Sequence, residues 1–279
     1  MNISSSPVAL PWIVLEVVIN KPFKRGFFCN DESIKHPYLK NTVDYRIMVG
    51  VSVAAAFVLV TVCEAVLNHT RQEAPFEVTD SRSIPHFFLE IYRFYGIFIF
   101  GIFIQQSVVN IGKYTIGRLR PHFLTVCNPD YSKINCTLSN SSETIFAYVE
   151  NFECSVREEK ITDSRLSFPS GHSCYAAYVA VYFIIYLQSR WTHRMTALLK
   201  HTCQAVLANT AVFVCLSRIS DYKHHPTDVL AGSLLGFIIG ALMGMNVTKL
   251  FTMKSIVRRL QSNHPHPIYA TNVPVASKM

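Results

Sequence analysis

Three short polar clusters carry residue types suited to phosphoryl transfer. The first is Lys113-Tyr-Thr-Ile-Gly-Arg-Leu-Arg120-Pro121, and the second is Pro169-Ser170-Gly171-His172. The third runs from Ser217-Arg218 through His224-His225-Pro226 to Asp228. A phosphoryl group in transfer spreads its charge over three oxygens and needs fixed positive partners. Lys113, Arg120 and Arg218 can supply them. Lys113 and Arg120 are seven residues apart, close to two helical turns, so a helix stopped by Pro121 would point both the same way. Arg118 falls off that face and reads as a solvated or headgroup-facing charge. Pro169 to His172 reads as a helix start, with Ser170 as cap and Gly171 allowing close backbone approach. Exposed N–H groups at such a start bind anions, and His172 would stand at the rim.

The third cluster places a base beside a carboxylate. His225-Pro226 disfavours helix at residue 225, so a helix should begin near Pro226 or Thr227, with Asp228 in its first turn. From there the Asp228 side chain can reach back to His224, fix its tautomer and leave its other nitrogen as a nucleophile. His225 competes for that role. Each cluster alone has a plainer reading. Lys113 and Arg120 are also what basic anchoring at a membrane interface looks like, and Ser-Gly-His also fits a capped helix with a surface histidine. A metal held by His172, His224, His225 and Asp228 is disfavoured, because three cations in the same site repel a divalent ion.

The elements that position these clusters read as membrane spans. Of 279 residues, 50% are hydrophobic and only 16% charged, against about 25% charged in an ordinary soluble domain. The apolar residues lie in long runs, which excludes a disordered chain, a disulfide scaffold and an all-β protein. A span needs about 20 mostly apolar residues. Ile47–Leu67, Phe94–Gly112, Ser173–Leu187 and Val229–Val247 meet this, and Ala197–Leu216 is more polar but long enough. Pro7–Asn20 is short and contains Glu16, but is counted as a sixth, an uncleaved anchor. The expected fold is therefore an all-α, six-transmembrane-helix bundle, one membrane domain over residues 1–279. Its spans are about 7–20, 47–67, 94–112, 173–188, 197–216 and 228–247, with an outer loop 113–172 and a tail 250–279.

Basic residues favour the cytoplasm. Arg190, Arg194 and Lys200, and the acid-free tail with Lys249, Lys254, Arg258, Arg259 and Lys278, share one side of a six-span chain. Lys21, Lys24 and Arg25 oppose this assignment. All three polar clusters then meet at the outer or luminal face. The outer loop holds two glycosylation sequons, at Asn135 and Asn140, while Asn68 in a third falls inside and should stay unused. Cys29, Cys127, Cys136 and Cys154 lie in outer loops and allow three disulfide pairings. Cys63, Cys174, Cys203 and Cys215 read as small core residues, and Glu64 as a snorkelling or capped acid near the end of its span.

The ordered blocks Lys-x6-Arg-Pro, Pro-Ser-Gly-His and Ser-Arg-x5-His-x3-Asp resemble the type 2 phosphatidic acid phosphatase superfamily. The fuller text from Ile116 to Leu124 and from Ser220 to Gly232 looks like animal lipid phosphate phosphatases. The resemblance covers roughly residues 8–250. It implies a phosphomonoesterase that needs no metal or other cofactor and works on phosphatidate, lysophosphatidate, sphingosine phosphate and ceramide phosphate. It further implies that Lys113, Arg120, Ser170, Gly171 and Arg218 bind the phosphate, and that His224 becomes a phosphohistidine. Asp228 would orient His224, while His172 would protonate the leaving alkoxide and then activate water. The implied partners are a membrane lipid phosphate and the bilayer, with homo-oligomers and no nucleic acid. The implied place is the plasma membrane with the site outside, or the lumen of the endoplasmic reticulum or Golgi. Within enzymes, a sugar phosphate or polyprenyl diphosphate is the rival substrate. The same motifs resemble vanadium-dependent haloperoxidases, which are soluble. A non-catalytic lipid-binding or transport protein is the rival from another class.

Overall fold

The computed structural model describes residues 22–72, 86–134, 136–138, 145–191 and 194–262. The span expected over residues 7–20 and the sequons at Asn135 and Asn140 lie outside them. The helices are α1 (Tyr45–Gln72), α2 (His86–Ile116), α3 (Phe123–Cys127), α4 (Glu158–Ser164), α5 (Gly171–Arg190), α6 (Ala197–Ser220) and α7 (Pro226–Ser262). Two antiparallel pairs of two-residue strands occur in the connecting layer. Of these, β1 (Phe27–Phe28) joins β4 (Tyr148–Val149), and β2 (Thr137–Leu138) joins β3 (Ile145–Phe146). The chain is therefore mostly helical, with short strands that the hydropathy pattern does not announce.

Among the described residues, α1, α2, α6 and α7 are long and apolar enough to cross a membrane. Their side chains stay outward: Ile47, Val62 and Leu230 are each more than half exposed. An outward apolar surface of this kind needs lipid to cover it. The expected runs 47–67, 94–112, 197–216 and 229–247 fall inside these helices. The chain is thus a polytopic, mostly helical membrane protein.

The remaining long helix, α5, differs because it is the inner one. Tyr175, Tyr178, Tyr182 and Tyr186 are all buried. A buried hydroxyl must be paired. Tyr178 Oη donates to Phe98 O and Tyr182 Oη to Phe94 O, each at 2.7 Å, and Tyr186 Oη donates to Glu64 Oε1 at 3.0 Å. Glu64 is no snorkelling acid: it is buried in an ion pair with Arg190, whose guanidinium lies 4.9 Å from the Phe94 ring centre. A carboxylate this deep needs a cation within reach, and α5 brings one at its last turn.

Helix α7 seats on α5 through small residues four apart. A Cβ on Gly232 would collide with Ser170 O, and one on Gly236 with Cys174 O. A Cβ on Gly240 would lie 3.0 Å from Tyr178 O, and one on Gly244 2.9 Å from Ile185 Cδ1. Such stripes let two membrane helices touch backbone to backbone. The first glycine of the stripe meets the chain just before α5, so this packing also sets the height of the Ser170 turn.

Over one end of the bundle lies a small outer layer. Phe27, Ile34, Leu119, Phe123, Leu124 and Cys127 form its core. Two disulfides fasten it, Cys29–Cys136 and Cys127–Cys154, one of the three pairings left open above.

Candidate active site

Lys113 stands in the last turn of α2, not in a loop. The helix stops at Ile116 because Gly117 takes a left-handed conformation, φ 58°, and its N–H returns to Lys113 O. Glycine enters that region without a Cβ penalty. The expected continuous helix up to Pro121 is thus corrected, and Arg120 reaches the site from an extended segment. There Arg120 N donates to Ser164 O and Ser167 N to Arg118 O. Arg120 Nη2 donates to Asp163 Oδ1 at 2.8 Å, while its buried Nε has no partner among the described residues.

Ser170 caps α5, as its sequence context predicts. Its Oγ accepts from Ser173 N at 3.4 Å and from Ser173 Oγ at 2.9 Å. That leaves its own O–H to donate outward. Ser170 N donates to Asp228 O at 3.0 Å, which ties this turn to the start of α7. An added Cβ on Gly171 would lie 3.6 Å from Lys113 Nζ, so that ammonium sits against the first turn of α5. His172 Nε2 is buried and has no partner among the described residues.

Helix α7 begins at Pro226, with Asp228 in its first turn, as expected. Asp228 is fully buried but does not bond His224. Its Oδ1 accepts from Arg118 Nη1 at 2.5 Å, and its Oδ2 accepts from Ser167 Oγ at 2.6 Å and from His225 N at 3.1 Å. The His224 partner is Ser167 O, 2.7 Å from Nδ1. A carbonyl oxygen only accepts, so Nδ1 carries the proton and Nε2 keeps its lone pair. The expected direct contact from Asp228 to His224 is therefore replaced by a relay. Asp228 holds the Ser167 side chain, and the Ser167 carbonyl holds the ring. Arg118, read above as a stray surface charge, instead neutralises Asp228. His225 turns away, with Nε2 on Leu119 O at 3.0 Å, which removes it as a rival nucleophile.

Arg218 is fully buried at the end of α6. Its Nη2 donates to Asp221 Oδ2 at 2.6 Å and its Nη1 to Asn41 Oδ1 at 3.2 Å. Asp221 in turn accepts from Thr42 N at 2.8 Å and Thr42 Oγ1 at 2.7 Å. The segment before α1 is thus a strap across the site. Its Tyr38 ring lies under Lys223 Nζ at 3.6 Å, and its His36 ring stacks on Tyr222 at 4.3 Å. Tyr45, the first residue of α1, meets the His172 ring edge-on at 5.1 Å. Ser167, Asp221, Asn41 and Thr42 were not singled out from sequence. Asp221 carried a usable signal, a carboxylate three residues beyond an arginine at the end of α6. Asn41 and Thr42 lie 177 and 179 residues from their partners and carried none.

The charges act on one another. Burial first, then the Arg120 and Lys113 cations, hold His224 well below the usual imidazole range, against the pull of the Ser167 carbonyl. Burial, then Arg218, Lys113 and Arg120, push His172 down to about 3. Both imidazoles are therefore neutral at pH 7, and Lys113, Arg120 and Arg218 all stand near enough to be felt. Fixed cations around two neutral bases make a site suited to an anion.

Comparison with known proteins gives the family. Residues 94–251 match the model of the PAP2 superfamily. Phospholipid phosphatase 1 of Rattus norvegicus is 38% identical over 272 residues, covering 91% of this chain and 92% of the relative. Phospholipid phosphatase 2 of Homo sapiens is 37% identical over 243 residues, covering 87% and 80%. The mouse phospholipid phosphatase 2 is 36% identical over 266 residues, covering 95% and 88%. No solved structure matches. With its three polar blocks gathered at one end of an apolar helical bundle, the chain belongs to the PAP2 superfamily.

Proposed function

We propose that the chain is a lipid phosphate phosphatase working through a phosphohistidine, with phosphatidate, lysophosphatidate, sphingosine phosphate and ceramide phosphate as its substrate class. The observation that carries this is His224, neutral and with Nδ1 tied to a carbonyl, set among three cations. Lys113, Arg120, Arg218, the Ser170 hydroxyl and the Gly171 N–H hold the phosphoryl oxygens. His224 Nε2 attacks phosphorus, and the P–N bond forms as the bond to the lipid oxygen breaks. His172 gives that oxygen its proton. The incoming phosphate brings further negative charge beside His172 and so raises its affinity for the proton it must deliver. Neutral again, His172 takes a proton from water, which splits the P–N bond and returns His224. Asp228 serves by fixing Ser167, and no step calls for a metal.

The outer layer with its two disulfides stands at the same end as the site. Disulfides persist in oxidising compartments, which supports a site facing outside or into a lumen. A plasma-membrane enzyme with an outward site is the reading we adopt. The test is phosphate release from phosphatidate in mixed micelles with excess EDTA, comparing wild type with His224→Ala. Release by wild type and none by the variant is expected. Equal release would remove His224 as nucleophile, and loss of release with EDTA would remove the metal-independent mechanism.

A further inference from the structure

Helix α2 presents Gly101, Gln105, Val109 and Lys113 at four-residue intervals, so they share one face. That face looks at α5. A Cβ on Gly101 would run into the Tyr178 ring, 2.7 Å from Cζ, while Val109 Cγ1 and Lys113 Nζ lie 3.5 and 3.6 Å from the Cβ position of Gly171. Gln105 therefore stands between the Gly171 and Tyr178 levels, one turn deeper in the bilayer than the phosphate cradle. It is fully buried, and neither Oε1 nor Nε2 has a partner among the described residues. An amide left with a free donor and a free acceptor in a dry interior carries a large desolvation penalty unless something else binds there.

The groups around it point to what that is. Gln105 lies beside the Tyr45 hydroxyl, and the Tyr45 ring meets both His172 at 5.1 Å and Tyr175 at 6.0 Å. Tyr45 Oη gives its one proton to Gln106 Oε1 at 2.7 Å, so towards Gln105 it can only accept and leaves Gln105 Oε1 without a donor; Gln106 Nε2 donates to Asn110 Oδ1 at 3.1 Å. Tyr45 is thus the common neighbour of Gln105 and of the imidazole proposed to face the leaving oxygen. A substituent on the next carbon of the leaving alcohol falls within one helical turn, about 5.4 Å, of that oxygen. An ester carbonyl would satisfy only Nε2, whereas a hydroxyl satisfies both amide atoms.

Resting on the phosphatase reading above, we propose that Gln105, walled by Tyr45 and Tyr175, is a subsite for a free hydroxyl on the carbon beside the phosphate-bearing carbon of the lipid. Monoacyl glycerol phosphates offer that group. Gln105 is then a specificity-determining residue for the leaving alcohol.

The test uses full-length protein in mixed micelles and two substrates, lysophosphatidate and its analogue lacking the free hydroxyl. Wild type should favour lysophosphatidate by about tenfold in kcat/KM, the scale of one neutral hydrogen bond. Gln105→Leu should bring that ratio close to one, and Gln105→Asn should recover part of it. Equal rates in wild type overturn the proposal, and this arm needs no variant. A ratio that survives Gln105→Leu in folded protein also overturns it. Release from neither substrate by wild type would bring down the phosphatase reading along with it, whereas release from both without discrimination leaves that reading standing.

Discussion

Gly112 sits one residue before Lys113 and faces the turn that holds Ser170. A Cβ placed on it would lie 2.7 Å from Pro169 Cδ, where ordinary contact begins at 3.4 Å. The proline ring must therefore retreat by about 0.7 Å in Gly112→Ala. Proline Cδ is bonded to its own backbone nitrogen, so the ring cannot swing aside alone and the displacement passes to Ser170 and Gly171. Misplacing a reacting group by about 1 Å costs about 10²-fold in rate, so a kcat loss of about 10- to 100-fold is expected. Stability should change much less. Overpacking costs about 1–3 kcal/mol, while replacing a helical glycine with alanine returns about 1 kcal/mol. The assay is phosphate release from phosphatidate micelles, with the thermal midpoint recorded on the same preparations. Gly50→Ala and Gly96→Ala provide the contrast, since a Cβ at either position meets nothing within 4 Å. Both should keep wild-type kcat. A folded Gly112→Ala with full activity would refute the claim that this helix contact sets the cradle.

Three further outcomes follow from the same geometry. Asp221→Asn removes the charge that aims Arg218 and should weaken inhibition by orthovanadate and lower kcat/KM by about 10- to 100-fold, the range seen when a supporting group is lost. The Arg120 cation is, after burial, the largest influence depressing His224. The acid limb of kcat/KM should therefore lie below pH 6.5 in wild type and move up towards 6.5 in Arg120→Gln, because less repulsion lets His224 protonate sooner; an unmoved limb would exclude His224 as the titrating base. Glu64→Leu alone should cost about 3–5 kcal/mol by removing the carboxylate that the buried Arg190 guanidinium faces, and adding Arg190→Met should restore much of it, measured by thermal midpoint in detergent.

What the sequence determined was mostly local. Ser170 caps α5 and Pro226 opens α7 because capping and proline sterics act within a few residues of chain. The apolar runs fixed four long helices because lipid leaves backbone groups no partner outside the helix. The three polar blocks named the chemistry because each keeps its spacing on one short segment. Even a local signal was misread at Gly117, which ends α2 four residues before the proline expected to do so.

Tertiary structure decided which groups pair. Asp228 was expected on His224, and its neighbours proved to be Arg118 and Ser167, 110 and 61 residues away. Four outer cysteines allowed three pairings, and only the folding of the outer layer selected Cys29–Cys136 and Cys127–Cys154. The strap that fixes Arg218 through Asn41 and Thr42 has no periodicity and no motif. A hydrogen bond goes to whatever donor the packing of helices brings within about 3 Å, and spacing along the chain carries no record of that choice.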